Sequence, residues 1–160
     1  MTRQVIVICF LVSLFVFLLA FALTPTLALD ARAETGARVW CIAISAGDDL
    51  VYHSLNSIYR VPVEEHLRVE PDGSFTPIQV ISTPDVIYYY GIADFTRVDD
   101  TRARATPRVV RYRELRFNVG APGQQRVSAR YQTITLSDFV PNGQAIIFTT
   151  RSVPRAFACW

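Results

Sequence analysis

The sequence predicts an all-β domain, a small antiparallel β-sandwich or partly open barrel, preceded by one N-terminal hydrophobic helix. Val5 to Leu23 form an unbroken apolar run whose only clearly polar member is Ser13. Beyond residue 36 the chain breaks into short segments rich in Val, Ile, Tyr, Phe and Thr, separated by Gly, Pro, Asp and Asn. That alternation with period two is the mark of strands that bury one face. Outside the leader no window carries a convincing amphipathic helix, which argues against the mixed classes.

The leader comes first. At about 1.5 Å per residue its apolar run reaches roughly 28 Å, close to the thickness of a hydrocarbon core. Residues 1–23 therefore read as a signal-anchor or a signal peptide. The run is longer than the roughly 7–15 apolar residues of a typical signal, which favours a retained anchor. Small residues suited to cleavage stand at Thr26-Leu27-Ala28 and Ala31-Arg32-Ala33. Arg3 precedes the run, and Asp30, Arg32 and Glu34 follow it with one net negative charge. This bias leaves the N-terminus in the cytoplasm and the C-terminal domain outside. The expected location is the cytoplasmic membrane, single-pass, or the periplasm or medium if the leader is removed.

Residues 24–36 read as a linker, and 37–160 as one extracytoplasmic domain with one core. Arg38–Ser45 alternates and ends at Gly47-Asp48; Asp49–Leu55 follows. Ile58–Glu70 reads as a longer strand closed by Pro71-Asp72-Gly73-Ser74, whose Asp-Gly is a hairpin signal. Ser74–Ser82 returns and stops at Thr83-Pro84-Asp85. Val86–Phe95, with Tyr88-Tyr89-Tyr90, and Arg108–Val119 are further strands. After Gly120-Ala121-Pro122-Gly123, Gln125–Leu136 is expected to pair back across that turn. Ser137–Val140 suits a single helical turn. Pro141-Asn142-Gly143 leads into Gln144–Arg151.

The formal net charge is +2, and all sixteen basic residues are arginine. Arg97, Arg102, Arg104, Arg108, Arg111, Arg113 and Arg116 crowd one region, offset in part by Asp99, Asp100 and Glu114. Outside the membrane such a cluster suits a solvated face or anionic partners, not nucleic acid. Cys9 lies in the apolar run. Cys41 and Cys159 bracket the domain, and an oxidising compartment permits a bridge between them. Closing that loop would stabilise the fold by about 4–5 kcal/mol in the chain-entropy picture.

The most distinctive stretch is residues 56–69. As a strand beyond Pro62 it puts Val61, Val63, Glu65, Leu67 and Val69 on one face. A carboxylate within an apolar stripe demands hydrogen bonds, a proton or a cation. Glu65, with Asn56, Ser57 and Arg60 nearby, is the candidate ligand-binding group. His53, Glu64, Glu65 and His66 show no metal-ligand spacing, since Glu64 and His66 point opposite to Glu65 and His53 belongs to another strand. Neither Ser54 nor Ser57 sits in a nucleophile turn. No pattern asks for a cofactor, and no catalytic residue is assigned.

This stretch resembles the hallmark block of an uncharacterised bacterial family, domain of unknown function eighteen-fifty. There His-Ser is followed by a Pro-Val step and a Glu, and Ser57, Pro62, Val63 and Glu65 fall on that pattern. Asn56 stands where the family places His. Residues 131–143 are similar to its closing block, so the likeness spans most of 40–150. Members are small, often with one N-terminal hydrophobic segment, and their genes lie beside those of TAXI-type TRAP transporters. The resemblance implies a non-enzymatic accessory or interaction domain associated with a transporter membrane subunit. The alternative is a small-ligand-binding domain or enzyme with its site around Glu65.

Overall fold

In a computed structural model, which describes residues 2–120 and 125–159, the apolar run is one helix, α1 (Thr2–Leu23). Among the described residues it is the one helix long and apolar enough to cross a membrane, and none of Ile6–Leu23 is buried. Thr24 ends it, returning its amide and hydroxyl to the Phe21 carbonyl at 3.3 and 2.6 Å. Pro25, which has no N–H to donate, follows at once.

The strands are β1 (Pro25–Ala33), β2 (Arg38–Ile44), β3 (Asp49–Leu55), β4 (Pro62–Val69) and β5 (Phe75–Ser82). A six-residue helix, α2 (Pro84–Tyr89), separates these from the short β6 (Thr96–Arg97) and β7 (Ala103–Ala105). β8 (Glu114–Asn118), β9 (Arg126–Ala129), β10 (Gln132–Thr135) and β11 (Ala145–Pro154) complete the set. One-turn helices lie at Leu136–Asp138 and Arg155–Phe157.

Two antiparallel sheets result, in the orders β2-β1-β11-β8 and β10-β9-β3-β4-β5-β7-β6. Leu29, Ile44, Ile146 and Phe148 from the first meet Leu50, Val69, Phe75 and Val127 from the second in one core. Burying one such side chain is worth about 1.5–3 kcal/mol, so this shared layer holds the sheets together. A smaller cluster of Val63, Val80, Val86, Ile87, Ala103 and Ala105 lies under α2. The sheets do not close on themselves, as expected of a sandwich.

Several boundaries differ from the sequence reading. Residues 24–36 are not a linker. Leu27, Leu29, Ala31 and Ala33 form a period-two stripe, and β1 lies between β11 and β2 with both edges paired. Val86–Phe95 is not a strand: Pro84 starts α2 with fixed φ, Asp85 suits its first turn, and Val86 and Ile87 bury. Ile58–Glu70 narrows to β4, because Asn56–Arg60 is a tight turn with Arg60 at φ +55°. Arg108–Val119 narrows to β8, after Tyr112 makes an isolated bridge to Phe75. Gln125–Leu136 folds on itself as the β9–β10 hairpin, and β9 pairs with β3. Ala121-Pro122-Gly123 of the expected turn lies outside the described residues.

Cys41 and Cys159 are bonded, with Cα atoms 5.5 Å apart. The bridge straps the C-terminal turn across the outer face of the first sheet. Under that strap Asp30, 2 % exposed, meets Arg32 at 2.9 Å, Arg38 at 2.7 Å and Arg151 at 3.9 Å. A carboxylate so enclosed needs that much positive charge around it.

Candidate functional site: a groove beside Glu65

Alternation along β4 aims Val63, Leu67 and Val69 into the interior, and Glu65 shares their face. Its cross-strand neighbours are Tyr52 on β3 and Val80 on β5. The carboxylate accepts a hydrogen bond from the Tyr90 hydroxyl at a long 3.4 Å. Burial pushes the Glu65 carboxyl above its ordinary range. Burial together with the neighbouring Glu65 pushes the Tyr90 phenol up to about 12. Tyr52, stacked on Phe117 at 4.1 Å and hydrogen-bonded by Gln125 Nε2 at 2.7 Å, is also raised, chiefly by burial.

The space in front of Glu65 exists because a ladder is interrupted. β7 pairs with β5 only over Val80–Ser82, and the next bridge joins Phe75 to Tyr112. On the other side the β4–β5 register slips between His66 and Leu67, leaving Ile78 as the extra residue of a bulge. Pro77 and Pro107 have no N–H to give a ladder, although Pro77 keeps its place opposite Leu67 of β4. Residues 106–111 arc away and leave an open groove of about 1260 Å³. Glu65, Val80, Tyr90, Phe95, Arg108 and Tyr112 are among its walls. Arg104 also borders it, and neither arginine has a carboxylate partner among the described residues. The groove thus offers a carboxyl raised by burial, a phenol, guanidinium groups and apolar walls.

Of the other three candidates, one lies near the Tyr90–Glu65 contact. Asn56 Oδ1 accepts the amides of Ile58 at 3.0 Å and Tyr59 at 2.9 Å, which shapes the turn. Its side chain also lies near the Tyr90 hydroxyl and slightly opposes the rise of that phenol. Ser57 and Arg60 are exposed in the turn and do not line the groove. On the opposite face of β4, Glu64 lies between His66 Nε2 at 2.6 Å and His53 Nδ1 at 3.7 Å. The shorter separation is that of a hydrogen bond, and no group of the described residues has metal-holding geometry.

The arginine-rich region resolves into separate roles. Arg102 pairs with Asp99 at 2.7 Å, Arg113 with Asp72 at 3.5 Å, and Arg116 with Glu34. Tyr90, Arg108 and Tyr112 were not foreseen as members of one site. The readable signal was the pair of prolines, Pro77 and Pro107, within segments otherwise built for pairing.

The chain matches no protein-family model, no curated protein and no solved structure.

Proposed function

We propose that this chain is a membrane-anchored extracytoplasmic binding domain whose groove beside Glu65 takes a small organic ligand. One observation carries the reading: Glu65 sits on an apolar stripe at the wall of an open groove, and among the described residues its hydrogen-bond partner is the Tyr90 phenol at a long 3.4 Å. A purely structural buried acid would instead be enclosed and bonded to backbone amides. Saturation-transfer NMR on the full chain in nanodiscs, against water-soluble organic acids, amines and sugars, tests it. Binders lost in Glu65→Leu and retained in Ser57→Ala support the site. Binding indifferent to Glu65 and Tyr90, or no binder at all, overturns it.

The anchor is retained in this reading. Both cleavage motifs noted in the sequence lie inside β1, so processing at either would cut a central strand. The mature protein is expected to have the mass of a chain that keeps α1. A mass beginning after Ala28 or Ala33 overturns this, as does one beginning after Ala22, where Ala20-Phe21-Ala22 would release the domain with β1 whole.

The accessory reading, with a TRAP-type transporter membrane subunit as partner, draws support from an exposed aromatic surface. Ile58, Tyr59, Tyr88 and Tyr89 are all exposed, with the Tyr59 and Tyr89 rings 6.1 Å apart. Aromatic side chains supply binding area at small entropic cost. Co-purification with that subunit under mild crosslinking, lost in the Tyr59→Ala/Tyr89→Ala variant, is the expected result; a clean negative removes this reading.

A further inference from the structure

The C-terminal turn Arg155–Phe157 meets the membrane helix where a lipid headgroup layer would lie. The Arg155 amide donates to the Thr24 carbonyl at 2.9 Å, so its backbone stands level with the end of α1. Its guanidinium reaches back over the Phe21 ring, 4.5 Å from the centroid. Phe21 is two residues inside the apolar stretch that ends at Leu23, or about 3 Å along the helix axis. Arg155 has no carboxylate partner among the described residues. Phe157, on the same turn, is 56 % exposed. The bridge between Cys41 and Cys159 holds this turn against the sheet.

A guanidinium at that depth avoids hydrocarbon by bonding phosphate oxygens, and it presents a fork suited to them. An exposed phenylalanine beside it gains by entering the boundary between headgroups and acyl chains. We infer that Arg155, Phe21 and Phe157 form a phospholipid-binding site, with Arg155 on a lipid phosphate and Phe157 seated among the upper acyl carbons. The domain is then held to the bilayer at two points, α1 and its own C-terminal turn. This rests on the retained-anchor reading.

The test uses the full chain in phosphatidylcholine nanodiscs, with p-benzoylphenylalanine replacing Phe157 in one preparation and Phe17 in another. Lipid adducts from both positions are expected on illumination. A second measurement follows dephasing of labelled arginine guanidinium carbons by lipid phosphorus, which should fall in Arg155→Gln relative to the parent. Lipid adducts at 17 with only protein adducts at 157, or dephasing unchanged by Arg155→Gln, overturn the site and leave the anchor standing. No lipid adduct at 17 brings down the anchor and the site together.

Discussion

Glu65 differs from the domain's other perturbed carboxylates in the direction of its shift. Glu34 is held below its ordinary range chiefly by Arg116, Asp72 by Ser74, and Asp99 by the Thr101 amide. Glu65 alone among these has burial as the dominant cause and is raised. An acid raised in the folded state favours folding below its unfolded pKa of about 4.5 and loses that contribution as pH climbs through the folded value. Glu65→Gln is therefore expected to melt above the parent at pH 8 and together with it at pH 4, as thermal denaturation at the two pH values would show. Gly73 makes a second case at this scale. It adopts φ +79° in the β4–β5 turn, and its carbonyl accepts the Thr150 hydroxyl at 2.5 Å. A Cβ there would collide with that same hydroxyl oxygen, so Gly73→Ala should cost about 1–3 kcal/mol in urea unfolding.

Elements were legible where a single force decided them. β3 stands where alternation placed it, and β5 begins one residue later than expected. Asp72 explains the turn between β4 and β5, its Oδ1 accepting both the amide and the hydroxyl of Ser74 at 2.9 and 2.6 Å. β1 was hidden because Asp30 and Arg32 looked like flanking charges, whereas Asp30 is buried and met by Arg32, Arg38 and, from the neighbouring strand β11, Arg151. Tyr88-Tyr89-Tyr90 favours strand locally, yet Pro84 and the burial of Val86 and Ile87 against β5 and β7 make α2. The stripe that singles out Glu65 was readable from period two alone. The groove was not, since it depends on how far residues 106–111 depart from a neighbouring strand. The disulfide closes over 118 residues, so a Cys41→Ser/Cys159→Ser variant should lose about 2–5 kcal/mol relative to the oxidised parent. Guanidinium unfolding checks it, and dithiothreitol should bring the parent to the same midpoint.

At the scale of the whole molecule, the sandwich and the helix share a boundary without spare chain. A protein beginning at residue 24 keeps β1 and should fold to a sheet-rich circular dichroism spectrum with a cooperative transition. One beginning at residue 34 loses Leu29, buried at 0 % exposure, and bares the edges of β2 and β11. It should aggregate or fail to give a transition, because unpaired central edges invite intermolecular pairing. Equal behaviour of the two would remove the argument against cleavage at Ala28 or Ala33. The same junction has a mechanical side. Tension on α1 would run lengthwise into a strand clamped along both flanks, loading many hydrogen bonds in shear at once instead of peeling them singly. The domain should therefore withstand stretching from its N-terminal end far better than from the edge strand β8.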